Sequence, residues 1–326
     1  MDKVQTVHGG RKIQIIGVAS GGGAKDERCA DGPLALRDYG LVSHLQARHT
    51  GVAWNDTIHA GTRAGDVVAA VSGVCTRLAQ HVKACVGRGD MPVVLGGDHS
   101  CAIGTWKGAA QALRPRGPLG LIWIDAHMDA HTPLSTPSGA LHGMPLACLL
   151  GYGDQRLTAI GGGITLQPQH VCLIGVRSFE TGEAALLRRL GVRIYFMPEV
   201  ARRGLSAVLH EALTIVTSGC AGFGITLDLD ALDPHDAPGV GSPVAGGLRG
   251  AELAAALPSI ASHPALTAIE IAEYNPERDR DCRTARLVTQ LLDAMLYGLQ
   301  AARDSETPIE LGRFGVKIDH ELVHDR

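Results

Sequence analysis

The sequence contains no stretch of about 18 apolar residues without polar interruption, so no transmembrane helix is expected. Residues Met1 to Gly10 are polar and lack the apolar core of a secretory leader. Neither sign of charge dominates. Thirty Lys and Arg stand against 33 Asp and Glu, a formal net charge of -3, which argues against a nucleic-acid or anionic-membrane partner. The eight cysteines include no CxxC pair. They read as reduced thiols in a cytoplasmic protein, and a structural zinc site is not expected. Gly21-Gly22-Gly23 follows an apolar run but lacks GxGxxG spacing. A flexible loop over a pocket is therefore preferred to a phosphate cradle. Neither an internal repeat nor a Pro/Ser-rich linker divides the 326 residues, which read as one domain.

What is present is an alternation of apolar runs and amphipathic stretches. Strands are expected at 12–18, 91–95, 119–124, 170–176, 192–196, 222–227 and 266–271. Helices are expected from Asp31-Gly-Pro33 onward, then at 64–86, 103–113, through Leu190, 249–260 and 284–299. Strands alternating with helices imply an α/β fold with a mostly parallel sheet covered on both faces. The segment from Asp304 to Arg326 is more polar and less periodic, and reads as a loose or subunit-contacting tail.

Chemistry gathers where four of these runs end. Gly96-Gly-Asp98-His99-Ser100 follows one, and Asp125-Ala-His127-Met-Asp129 follows Leu121-Ile-Trp-Ile124. Asp228-Leu-Asp230-Ala-Leu-Asp233-Pro234 and Glu273 follow two others. Ligands of open α/β sheets bind beyond the carboxyl ends of strands. The spacing of two in Asp125, His127 and Asp129 is the strand period, which would place all three on one side of an extended segment. So many carboxylates in one pocket repel unless cations neutralise them. An oxygen-rich set with imidazole and no thiolate favours manganese or a similar divalent ion, and paired carboxylates suit a two-metal site.

These blocks, with Ser138-Gly-Ala-Leu-His142-Gly-Met-Pro145 and Glu273-Tyr-Asn-Pro276, resemble the signature blocks of the ureohydrolases: arginase, agmatinase and their relatives. The resemblance runs from about Ile15 to about Leu299, in the family's order. It implies a three-layer α/β/α fold, two Mn²⁺ per subunit, and a homotrimer or homohexamer. It further implies hydrolysis of a guanidino compound by hydroxide held between the two ions. By position, His99, Asp125, Asp129 and Asp228 would hold one ion. Asp125, His127, Asp228 and Asp230 would hold the other, with Asp125 and Asp228 bridging. Asp129 counts also among the reacting groups, His142 matches the proton-carrying histidine, and Glu273 matches the carboxylate that pairs with the guanidinium. Asp98 is expected to orient rather than ligate.

The lead-in Thr132 to Gly139 and the loop Arg177 to Glu183 resemble the arginase branch, so L-arginine is the first expectation. Ser138, Glu180 and Glu183 would meet the amino-acid end of the substrate, with Glu180 standing where Asp is common. Two positions depart: His131 and Ala140 stand where arginases usually carry Asn. His131 could grip the carboxylate, or it could signal another guanidino acid, as in a guanidinobutyrase or agmatinase. Two remoter alternatives are a non-catalytic metal-binding homologue and a single-zinc deacetylase-type hydrolase. The complete ligand set with His142 and Glu273 argues against the first; Asp228-x-Asp230 with Glu273 argues against the second.

Overall fold

The structure, a computed structural model, describes residues 11–61 and 65–306, with side chains through 301. Eight strands form one sheet: β1 (Ile13–Ala19), β2 (Val52–His59), β3 (Met91–Leu95), β4 (Leu119–Ile124), β5 (Val171–Val176), β6 (Arg193–Phe196), β7 (Gly222–Asp228) and β8 (Leu266–Ala272). Their order is β2-β1-β3-β8-β7-β4-β5-β6, and every strand pairing is parallel. Among the described residues eleven α-helices accompany them. The first six are α1 (Gly32–Asp38), α2 (Leu41–Arg48), α3 (Val67–Gly87), α4 (Ala102–Leu113), α5 (Pro145–Leu149) and α6 (Gln155–Thr158). The rest are α7 (Thr181–Leu190), α8 (Met197–Arg203), α9 (Leu205–Thr217), α10 (Gly250–Ala261) and α11 (Arg283–Glu306).

The strands β3, β4, β5, β7 and β8 are buried along their whole length, which is why their sequences run apolar without alternation. The two sheet faces separate by residue parity. On β4, Ile122 and Ile124 pack in the cluster that contains Leu209, Leu257 and Leu292 of α9, α10 and α11. Leu121 and Trp123 pack in the cluster that contains Leu78 and Trp106 of α3 and α4. These are the two outer layers of an α/β/α sandwich. Close approach on one face depends on Gly224, where a Cβ would lie 1.9 Å from the Trp106 ring.

The expected strands and the main helices are present, with shifted ends. The helix read from Ala64 begins at Val67, because Asp66 caps it by accepting the Ala69 N–H at 3.1 Å; Ala64 lies outside the described residues. The elements α2, β2, α8 and α9 were not anticipated. β2 is an edge strand whose exposed middle carries polar residues, so its pattern is blurred. The Gly21–Gly23 turn is packed at Gly21 and Gly23 and open at Gly22. The Gly23 N–H donates to Asp98 at 2.9 Å, and a Cβ on Gly23 would lie 2.5 Å from that carboxylate. The tail read from Asp304 lies outside the described residues from 307 onward.

Candidate active site

The strands β3, β8, β7 and β4 are consecutive neighbours in the sheet. Their carboxyl ends therefore bring Asp98-His99, Glu273, Asp228-Asp230 and Asp125-His127-Asp129 together. Two groups of possible cation donors result. One is His99, Asp125, Asp129 and Asp228; the other is Asp125, His127 and Asp230. Asp125 belongs to both. Asp228 falls only in the first, although the resemblance places it between both ions.

The period-two argument for residues 125–129 does not hold in space. β4 stops at Ile124, and the chain turns. The Asp125 carboxylate accepts the His127 N–H at 2.7 Å, and Asp129 takes a positive φ of 49°. The turn thus splits the motif between the two donor groups instead of lining it along one strand side. The other Asp125 oxygen accepts the Trp123 indole N–H at 2.8 Å, which fixes its orientation.

His99 is fully buried. Its Nδ1 lies 3.3, 3.0 and 3.1 Å from carboxylate oxygens of Asp125, Asp129 and Asp228. Yet His99 Nδ1 and Asp129 Oδ2 are buried atoms without a hydrogen-bond partner. Donor atoms that converge without bonding each other suit a shared cation, because an unpaired buried polar group is otherwise costly. The far nitrogen of His99, Nε2, lies 3.0 Å from Thr226 Oγ1, which donates to buried Glu270 at 2.8 Å. That arrangement leaves Nδ1 free for a cation. In the second group His127 Nδ1 is 3.1 Å from Asp230 Oδ2.

Without a cation the electrostatics are crowded. Burial and neighbouring carboxylates push the Asp228 carboxyl well up, and burial raises Asp230 to about 6. Burial opposes a charged His99, but the three surrounding carboxylates outweigh it and raise the imidazole. Such opposed shifts are what a missing positive charge would relieve.

His142 Nδ1 lies 3.0 Å from Glu273 Oε1. Burial disfavours the charged ring, yet Glu273 raises it to about 10. Glu273 is buried, has a positive φ of 69°, and also accepts the His99 backbone N–H at 2.9 Å. Asp98 accepts backbone N–H groups from Gly23 and Ser100, and lies outside both donor groups, as its expected orienting role requires.

The expected substrate residues are partly gathered. His131 Nε2 lies 2.9 Å from Glu180 and 3.6 Å from Glu183. Glu183 is buried, and its oxygens accept the Glu180 and Ala130 N–H groups, so it anchors the start of α7. Burial pushes its carboxyl up to about 8. The Ser138 hydroxyl is exposed and accepts the Ala140 N–H. A cavity of about 180 Å³ is lined by His127, Asp129, His131, Ser138, Glu180 and Glu183, among others. A second, of about 190 Å³, lies against His142, Glu273, Ala140 and Lys25. A larger groove of about 670 Å³, by Leu134 and Arg189, contains none of the clustered residues.

Thr226, Glu270, Trp123 and Cys29 complete the surroundings and were not singled out from the sequence. A polar residue inside each of the apolar runs Gly222–Asp228 and Leu266–Ala272 was a readable signal for Thr226 and Glu270. Cys29 offered none.

Comparison with known proteins shows the family. A family model described as Arginase family matches residues 11–297. The arginase of Bacillus caldovelox is 40% identical over 295 residues, spanning 87% of this chain and 98% of that protein. Its solved structure superposes with a TM-score of 0.81, covering 88% of this chain and 98% of that one. The arginase of Entamoeba histolytica, solved in complex with L-ornithine, superposes with a TM-score of 0.82 at 27% identity, covering 88% and 98%. The chain thus belongs to the arginase family of ureohydrolases, on its arginase branch, and is a hydrolase acting on amidines.

Proposed function

We propose that the protein is a binuclear manganese arginase that hydrolyses L-arginine to L-ornithine and urea. The observation that carries the reading is the pair of unpartnered buried atoms, His99 Nδ1 and Asp129 Oδ2, in a donor group that shares Asp125 with a second one. His99, Asp125, Asp129 and Asp228 would hold one cation, and Asp125, His127 and Asp230, with Asp228 as the family's second bridge, the other. The oxygen-rich donor set with imidazole and no thiolate favours manganese. When bound, the two cations supply the Lewis acidity that makes water a nucleophile near neutral pH.

The chain's own residues do the rest. Glu273, buried and ionised beside His142, offers a planar carboxylate to the planar guanidinium. His142, at 3.0 Å from Glu273, holds a proton at its ring and can pass it to the leaving amine. Asp129, which lines the cavity, would accept a hydrogen bond from the nucleophile. Ser138 and His131 meet the α-carboxylate, and Glu180 the α-ammonium. The ligand named for the Entamoeba relative, L-ornithine, is the product this reading requires.

A second reading rests on His131. It engages Glu180, and Ala140 offers no side-chain donor. A guanidino acid without an α-ammonium, such as 4-guanidinobutyrate, suits that arrangement. The test is urea release by manganese-loaded enzyme with L-arginine, agmatine and 4-guanidinobutyrate in parallel. Preference for L-arginine supports the first reading; preference for 4-guanidinobutyrate replaces it with the second; no urea from any refutes both.

Residues 1–326 are proposed to act as one domain, in a cytoplasmic homotrimer or homohexamer without nucleic-acid or membrane partners. No helix among the described residues is long and apolar enough to cross a membrane.

A further inference from the structure

Glu273 stands at the centre of the proposed reaction in a backbone conformation that a non-glycine residue adopts only when its surroundings impose it. One of its oxygens, Oε1, is held by the His99 N–H and by His142. Among the described residues the other oxygen, Oε2, has a single hydrogen-bond donor, the thiol of Cys29 at 3.3 Å. Cys29 is fully buried. Burial, then the Glu273 charge, keeps its thiol far above the ordinary range, so it remains a donor.

The thiol does not sit there by loose packing. Cys29 lies in a short turn, Glu27–Asp31, that is stapled to the chain just beyond Glu273. Asp26 accepts from Arg28 at 2.7 Å, from Arg278 at 3.0 Å and from Asn275 at 3.3 Å. Arg28 reaches Glu277 at 2.7 Å. The Arg28 pairs are exposed and those of Asp26 with Arg278 and Asn275 half-buried, each weak alone, but together they form a network that ties residues 26–28 to residues 275–278.

We infer that Cys29 is a positioning residue: its thiol, carried by the stapled 26–31 turn, holds Glu273 Oε2 in the orientation that receives the substrate's guanidinium. The inference rests on the proposed amidinohydrolase reading. It concerns a residue that acts through Glu273 and does not touch substrate. The competing account is that Cys29 is a small apolar filler, as buried cysteines often are.

Two measurements separate these accounts. The first is steady-state kinetics of Cys29→Ala and Cys29→Ser on the preferred guanidino substrate. Loss of a donor to an ionised group weakens ground-state and transition-state binding alike, so Cys29→Ala should raise KM about tenfold with kcat little changed. Cys29→Ser keeps a donor and should restore KM to within about threefold of the parent. Equal KM values in Cys29→Ala and the parent overturn the inference. Equal impairment in Cys29→Ala and Cys29→Ser also overturns it, because packing alone then explains the effect. The second measurement is the S–H stretching band in the infrared difference between parent and Cys29→Ala. A band displaced from the free-thiol position, and returned toward it by Glu273→Gln, supports the bond. A band at the free-thiol position refutes it. Because this readout needs no turnover, it stands even if the parent releases no urea, a result that would sink the amidinohydrolase reading instead.

Discussion

Asp125 is the single residue common to both donor groups, whereas Asp129 belongs to one and Asp230 to the other. Replacing each by Asn keeps the side-chain shape and removes one charge. For a divalent cation and a carboxylate about 3 Å apart, Coulomb attraction at an effective dielectric of 20 is ~11 kcal/mol. Dehydration of both ions offsets most of it. If a quarter survives, ~2.8 kcal/mol remains, which is about a hundredfold in affinity. Asp129→Asn should therefore weaken one manganese about a hundredfold, and Asp230→Asn the other. Asp125→Asn should weaken both, and it also loses a negative charge that accepts the Trp123 indole N–H. The assay is metal content per subunit after dialysis against buffered free Mn²⁺, with urea release measured on the same samples. Asp125→Asn retaining two ions at parental affinity would refute the reasoning. So would loss of the same single ion in Asp129→Asn and Asp230→Asn.

Four further outcomes are expected. His142→Ala should lower kcat while bound manganese stays unchanged, which the same dialysis assay checks; unaltered kcat would remove His142 from the proton path. In the metal-free protein the His142 pKa is raised to about 10, above its unfolded value near 6.5. Its stabilising contribution is thus full below about 6.5 and lost as pH rises toward 10, so the denaturation gap between parent and His142→Asn should narrow over that window. His131→Asn removes the contact with Glu180 at 2.9 Å and should shift the kcat/KM ratio toward L-arginine over 4-guanidinobutyrate; an unchanged ratio makes His131 a rim residue. Gly224→Ala drives a methyl into the Trp106 ring and strains the indole's hydrogen bond to Glu270, so unfolding free energy should fall by about 1–3 kcal/mol. Unchanged urea-denaturation midpoints would show that the ring moves aside freely.

Much of this was legible because the physics is local. An unbroken apolar run such as Leu119–Ile124 can be stable only where both faces are covered, so it announces a central strand by itself. A cluster of Asp and His directly after such a run is equally visible. The spacing in α9, with Leu205, Val208, Leu209, Ala212 and Val216 buried, is a local helical signal of the same kind. β2 was harder, since an edge strand with a polar middle carries little periodicity.

Other features existed only once the chain folded. The sequence alone determined which residues are candidates for the chemistry: His99, Asp125, His127, Asp129, Asp228, Asp230, His142 and Glu273. Tertiary structure decided how they divide. The turn after Ile124, which a period-two reading would have kept extended, sends Asp129 to one donor group and His127 to the other. Pairing across the sheet places β8 and β7 between β3 and β4, so four distant motifs meet at one edge. The partners of His99 and Glu273, namely Thr226 with Glu270 and Cys29, lie far from them in sequence. Local pattern cannot report such contacts, because they are fixed by which strands and turns pack together and not by the residues' own neighbours in the chain.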